Sequence, residues 1–355
     1  MFTRILVPLD GSTLAERAIP HAEEFARIFG ANIILLQVLE PTSFHENPKA
    51  VDPLSWQIHK AEAELYMQRI SMKIRENLGE NITTDIDVNK SRVSYAIREG
   101  KTAENIVTLA HNENIDLLVI STHGSGGLTR WNMSSVTQKV INMIYLPVLI
   151  VRAYNKPMTG PSKMHYRSIL LPIDSSRRAE SALSAGVALA RGDISIGFES
   201  SLNTSDKQQN THTAALDKTK LVLVAVIKPP EIPIPEPYPV EIEKLSQELM
   251  HVSRLTVGNY LYEMKERLPV LCESHVLENI SVTSALQELA SNDEEIDLVV
   301  LCAHGYTGQG AWPYGSVARN YIEHGTKSVL IIQDVLYSNV PPTAAEIAAE
   351  KSGGR

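Results

Sequence analysis

Residues able to do chemistry fall into the same order twice along this chain. Asp10 ends the apolar run Ile5 to Leu9 and Asp174 ends Ile169 to Ile173, each two residues after a proline (Pro8, Pro172). A carboxylate at a strand end can accept hydrogen bonds from ribose or base, because ligands of parallel α/β sheets bind there. It can equally bond the N–H groups of its own turn. For a lone Asp the second role is the commoner; two copies in register with a glycine loop favour the first. Those loops are His123-Gly124-Ser125-Gly126-Gly127, after LLVIST, and His304-Gly305-Tyr306-Thr307-Gly308, after LVVLCA. Glycines there let backbone approach a phosphate without side-chain obstruction. Gly124 and Gly305 are followed, with nine residues between, by Ser134-Ser135 and Gly315-Ser316, each heading a helical pattern. A helix N-terminus presents N–H groups and a positive dipole end to an anion, and a hydroxyl there can cap the helix, meet a phosphate, or do both. Val38 and Val226 lie near the ends of the second strands, where backbone groups could address a base edge, although a valine there is by default a core residue. His123 and His304 invite a catalytic role, but no second His, Cys or carboxylate stands at metal-ligand spacing around them, and orienting the loop is the simpler role for each. Cys302 reads as a small strand-end residue rather than a redox centre.

These residues need a scaffold that presents strand ends and helix heads on one edge. Strands and helices alternate throughout, which is the pattern of a parallel sheet wound on both faces. ILVPLDGS (5–12) recurs as ILLPIDSS (169–176), and Gly124 recurs as Gly305, so the chain is two diverged copies of one unit. The first copy reads as a strand at Arg4–Pro8, then a helix capped by Ser12 and closed at Gly30. The strand ANIILLQVLE follows, then a long helix from about Pro53 to Leu78 and a short strand at Thr84–Val88. A helix from Thr102, the strand IDLLVIST, the helix Ser135–Met143 and the strand LPVLIVR complete it. The expected boundaries are a first domain at 1–152, a Pro/Gly linker at 153–163, a second domain at 164–336 with a polar insertion at about 192–218, and a loosely held tail at 337–355.

Composition narrows the class. The chain has 355 residues, 43% hydrophobic and 21% charged, with net charge −8, a globular composition long enough for two domains. The acidic balance disfavours a general nucleic-acid binder. No apolar run reaches the length of a membrane helix, and the opening MFTRILVPLDGS reads as a first strand rather than a signal peptide. Two cysteines make no disulfide framework, so a reducing cytoplasm is the expected location. Gly100-Lys101-Thr102 imitates the end of a P-loop, but Tyr95 stands where its first glycine would be.

The combined pattern resembles the universal stress protein family in its tandem form, whose nucleotide motif is G-x2-G-x9-G-(S/T) behind an early Pro-x-Asp. Here it appears as Ser121-x2-Gly124-x9-Ser134-Ser135 with Pro8 and Asp10, and as Cys302-x2-Gly305-x9-Gly315-Ser316 with Pro172 and Asp174. The resemblance implies two tandem Rossmann-like, adenine nucleotide alpha hydrolase-like α/β domains. Each would be a five-stranded parallel sheet with helices on both faces. It implies ATP, ADP or AMP as ligand, with or without Mg2+. Asp10, Asp174, Val38 and Val226 would hold adenosine. Gly124, Gly126, Gly127, Ser134, Ser135, His304, Gly305, Gly315 and Ser316 would lie on the phosphate side. It implies pairing of the two domains through their last strands as an internal pseudo-dimer, with a further homodimer open, and a role as stress-response sensor or regulator. No catalytic or resident-metal residue is expected. The alternatives are a slow ATPase and a nucleotide-free interaction scaffold. Both copies depart from the motif at its first glycine (Ser121, Cys302), and the first copy also at its third (Ser134), which favours the second copy as the nucleotide site.

Overall fold

A computed structural model describes residues 1–40, 53–80, 91–127, 133–154, 164–192, 219–235, 237–306 and 313–334. The first half runs β1 (Arg4–Leu9), α1 (Ala18–Phe29), β2 (Asn32–Leu39), α2 (Pro53–Asn77), β3 (Val93–Glu99), α3 (Thr102–Asn112), β4 (Leu117–Ser121), α4 (Ser135–Met143) and β5 (Val148–Val151). The second repeats it as β6 (Ser168–Pro172), α5 (Arg177–Arg191), β7 (Lys220–Ile227), α6 (Val240–Arg267), β8 (Cys272–Glu278), α7 (Val282–Asn292), β9 (Ile296–Cys302), α8 (Ser316–His324) and β10 (Ser328–Ile332). All strands form one sheet in the order β3-β2-β1-β4-β5-β10-β9-β6-β7-β8. Pairing is parallel within each half, and the halves join where β10 runs antiparallel to β5, Leu330 opposite Leu149.

Why these strands sit in the middle follows from their side chains. β4 and β5 are buried at every residue and β10 likewise, as near-continuous Val/Ile/Leu runs must be when both sheet faces are covered. Alternation then divides the core in two. Ile5, Val7 and Leu9 pack with Phe25 of α1 and Met67 of α2, whereas Leu6 packs on the other face with residues of α3 and α4. One face thus carries α1, α2, α5 and α6, the other α3, α4, α7 and α8.

Local signals set the boundaries. Gly30 closes α1 in the left-handed conformation, φ 67°, with its N–H on Ala26 O, where a side chain would be strained. Ser12 Oγ accepts from Ala15 N at 3.1 Å. It therefore heads a 3-10 turn (Ala15–Arg17) that leads into α1, rather than α1 itself. The expected strand at Thr84–Val88 lies outside the described residues. The slot beside β2 is filled by Val93–Glu99, with Leu35 opposite Tyr95.

The junction of the halves is polar as well as apolar. Arg152, directly after β5, is buried and donates from Nη2 to Tyr321 O at 2.7 Å and from Nε to Lys327 O at 3.3 Å. A cation at the C-terminal turn of α8 is favoured by the helix dipole. On the opposite face Tyr166 Oη lies 2.7 Å from His21 Nδ1. Burial holds the His21 imidazole down to about 3, so it is neutral near pH 7.

Candidate functional site

Each half builds one site at the carboxyl edge of its strands, from the end of its first strand, the loop after its fourth and the head of its last helix. In the first half Asp10 Oδ1 accepts from Ser12 N (3.0 Å) and Ser12 Oγ (2.6 Å), while Oδ2 accepts from Ser125 N (2.6 Å). In the second, Asp174 Oδ1 accepts from Ser176 N (3.0 Å) and Oδ2 from Tyr306 N (2.7 Å). Each carboxylate therefore ties its own turn to the glycine loop across the sheet edge. Partial burial pushes the Asp10 carboxyl up, but the bonds from Ser12 and Ser125 outweigh it and hold the group below the usual carboxylate range.

This tie explains the glycines. A Cβ on Gly124 would collide with Asp10 Oδ2, and one on Gly305 with Asp174 Oδ2. The Asp–Gly pair is thus one device, a carboxylate oxygen, Oδ2, set against a bare Cα. Gly127 sits at φ 84° and donates to Gly124 O at 3.0 Å, closing a tight turn. A Cβ on Gly126 would meet open space, so this residue faces outward. Gly308 lies outside the described residues.

The helix heads are fixed to the loop in the same way, Ser134 N donating to Thr122 O (2.8 Å) and Gly315 N to Ala303 O (2.7 Å). Beyond that the halves part. Ser134 Oγ accepts from Thr137 N at 3.1 Å and shares a bond with Thr137 Oγ1 (2.9 Å), which donates to Ser121 O (3.0 Å). The head of α4 is thereby closed on itself. At α8 Gly315 makes no side-chain cap, and Ala318 stands where the first half has Thr137. A Cβ on Gly315 would come within 3.3 Å of Ala303 O. Ser135 and Ser316 are both exposed at the first helical position.

The two histidines lie beneath their loops, buried. His123 Nδ1 lies 3.0 Å from Thr122 Oγ1, and its Nε2 has no hydrogen-bond partner among the described residues. His304 Nδ1 lies 2.7 Å from Asp334 Oδ1, and Arg178 Nε is 3.6 Å from the other oxygen of that carboxylate. Val38 and Val226 are half-buried against the α3/α7 side of the core. Val38 is one residue past Gln37, the last β2 partner of β1, and Val226 two past Val224, the last β7 partner of β6. Both therefore line the edge where the first strands have ended. Burial pushes the Cys302 thiol up and outweighs the lowering by the neighbouring Ser181 hydroxyl, so burial keeps the thiol protonated.

Asp334, Arg178, Thr137 and Tyr260 were not singled out from the sequence. Tyr260 Oη donates to Glu180 Oε1 at 2.6 Å, and burial followed by that carboxylate pushes its phenol up. Asp334 had a usable signal: it is the second residue after β10, as Ala153 is the second after β5, an acid gained beside a buried histidine. Among the described residues no group of three His, Cys, Asp or Glu could hold a metal ion, and no helix is long and apolar enough to cross a membrane. A separate cavity of about 190 Å³ lies between α4 and α8, lined by Ile141, Tyr314 and Ile322 among others, away from both carboxylates.

Comparison with known proteins agrees with this organisation. The model of the universal stress protein family matches residues 1–152 and 208–333. A universal stress protein of Methanocaldococcus jannaschii is 28% identical over 160 residues, covering 44% of this chain and 98% of that protein. One from Synechocystis is 32% identical over 159 residues, 42% of this chain and 86% of its own length. The crystal structure of a universal stress protein from Archaeoglobus fulgidus superposes with a TM-score of 0.54 at 13% identity, covering 93% of this chain and 96% of that one. Two family matches on a chain whose halves repeat strand by strand leave one conclusion: this protein belongs to the universal stress protein family and carries two of its domains in tandem.

Proposed function

We propose that the chain binds adenine nucleotides at its strand-end sites, more tightly in the second half, and works as a stress-response sensor or regulator. Its output would be a nucleotide-dependent shape or partner contact rather than turnover. The observation that carries this reading is the head of α8. Its first-turn N–H groups have no side-chain cap and stand behind a loop whose glycine is dictated by Asp174. That combination offers a phosphate backbone donors, a positive dipole end and close approach.

The residues fit a nucleotide in the following way. Asp174 accepts one bond on each oxygen from the described residues and is exposed, so lone pairs remain for ribose hydroxyls. The edge at Val226 takes the base, and Gly305, Gly315 and Ser316 face the phosphates. His304 supports the loop from below through Asp334. The first half offers the same base and ribose groups at Asp10 and Val38 and a similar loop at Gly124, Gly126 and Gly127, with Ser135 exposed. Its Ser134, however, already occupies an N–H that a phosphate would use.

The fit to Mg2+ is poor on the protein side. Both Asp carboxylates are engaged by backbone N–H groups, and among the described residues no group of three His, Cys, Asp or Glu could hold a metal ion, so a cation would arrive with the phosphates and be held by them. The lack of such a metal-holding group among the described residues also counts against a slow ATPase. A nucleotide-free scaffold is the competing account. Equilibrium dialysis against labelled ATP separates them: Gly305→Val lowers binding at least tenfold, whereas a scaffold has no binding to lose in the parent chain.

A further inference from the structure

The two longest helices are apolar on two sides. α2 buries Ala63, Met67, Ile70 and Ile74 against the sheet, yet Ile58, Leu65 and Met72 are half or more exposed on its outer side. α6 repeats this in the second half, where Leu245, Val252, Leu255 and Tyr262 all lie outward. The spacing carries information. Ile58, Leu65 and Met72 are seven apart, as are Leu245 and Val252, and Leu255 and Tyr262. A seven-residue repeat keeps one seam facing a second helix over several turns. A lone helix packing only on its own sheet has no use for it.

We propose that these two helix faces are the contact surface for a second copy of this chain, α2 of one molecule packing on α6 of the other. Three observations select that occupant. First, α2 and α6 lie on the same face of the sheet, at opposite ends of its strand order. Both are crossovers at equivalent places in two halves that meet at the antiparallel β5–β10 pair, so each stripe has its counterpart in the other half. A symmetric pair in which α2 of each molecule meets α6 of the other uses both stripes and closes the assembly. Second, charge selects the pairing. α2 carries four basic and three acidic side chains, α6 four basic and five acidic, so α2 against α6 is neutral. Neither helix has the basic polar face that an anionic lipid surface requires. Third, the area is adequate. At roughly 100 Å² per half-exposed side chain, the seven named residues leave on the order of 700 Å² per chain, close to the share each partner gives in a standard interface.

Sedimentation equilibrium on the full chain tests this. The parent protein is expected at twice its 39.2 kDa mass in the micromolar range. Leu65→Glu and Val252→Lys, each on an exposed position, should keep the parent's circular dichroism and thermal midpoint while sedimenting as monomers, with dissociation constants raised at least tenfold. Mixing the two variants should restore dimer, because one α2–α6 contact is then wholly parental and the other pairs Glu with Lys. A parent chain that is monomeric at high micromolar concentration overturns the proposal, as does a dimer indifferent to both substitutions. Loss in each variant without recovery on mixing overturns the α2–α6 pairing. Flotation of a monomeric parent chain with phosphatidylcholine vesicles would assign the stripes to lipid and overturn it too.

Discussion

The two halves of this protein share an architecture and differ at the head of one helix. Both keep the Asp–Gly device, Asp10 with Gly124 and Asp174 with Gly305, in which a carboxylate lies against a bare Cα and draws the loop to the first strand. The first half then closes the head of α4 with Ser134 and Thr137, while the second leaves the head of α8 to Gly315 and braces its loop with His304 and Asp334. The comparison teaches that the loop-to-strand tie and the anion-facing donors are separable. The tie holds the fold at that edge, and on the proposed function it is the uncapped head that offers donors to an anion.

Breaking the tie should cost the most. Gly124→Val and Gly305→Val each force a branched side chain onto a carboxylate oxygen, and each should lower unfolding free energy by about 3 kcal/mol in urea melts. If the halves have diverged as described, only the Gly305 variant also loses the tighter nucleotide site. Removing the brace comes next. Asp334→Ala takes away the carboxylate shared by His304 and Arg178, and should cost about 2 kcal/mol, while Ala153→Asp in the first half adds no compensating stability.

Exchanging the helix heads sharpens the comparison at a smaller scale. Gly315→Ser introduces a cap at a φ of −70° that any residue tolerates, so a gain of roughly a few tenths of a kcal/mol over glycine is set against the close Ala303 oxygen. Nucleotide affinity in the second half should fall several-fold. Ser134→Gly in the first half should do the reverse, freeing the Thr137 N–H for a phosphate at a stability cost of roughly a few tenths of a kcal/mol. Calorimetry on both variants checks the pair.

A pH-dependent effect concerns the junction that holds both sites on one sheet. His21 has its folded pKa depressed to about 3 by burial, against about 6.5 in an unfolded chain. The unfolded state therefore binds more protons between those values, and stability is present above pH 6.5 and declines as pH falls through that window. His21 is only partly buried by surface area, so we place the loss at about 1 kcal/mol by pH 5. His21→Phe should flatten that slope in melts followed from pH 7 to pH 5.

How much of this was legible in the sequence differs from feature to feature. Asp10 and Gly124 could be read because strand, loop and helix head are contiguous local signals, and their echo at Asp174 and Gly305 removed the ambiguity of each alone. The third strand could not. Thr84–Val88 and Val93–Glu99 both alternate, and an edge strand that pairs only with β2 needs little apolar character to fill its slot, so local pattern does not choose between them. Asp334 and His304 meet because β9 and β10 are neighbours, a long-range fact that no window of sequence holds. Ser134 was readable as a departure from the motif, but its consequence depended on Thr137 three residues on, whose hydroxyl completes the closure.

The central claim is that nucleotide binds and that the second half binds it better. Calorimetric titration of the full chain with ATP and with AMP, with and without magnesium, tests it most directly. The account predicts micromolar heat from a tighter site that Gly305→Val abolishes and Gly124→Val leaves in place. No heat at millimolar nucleotide would contradict it, as would a single tight site that survives Gly305→Val.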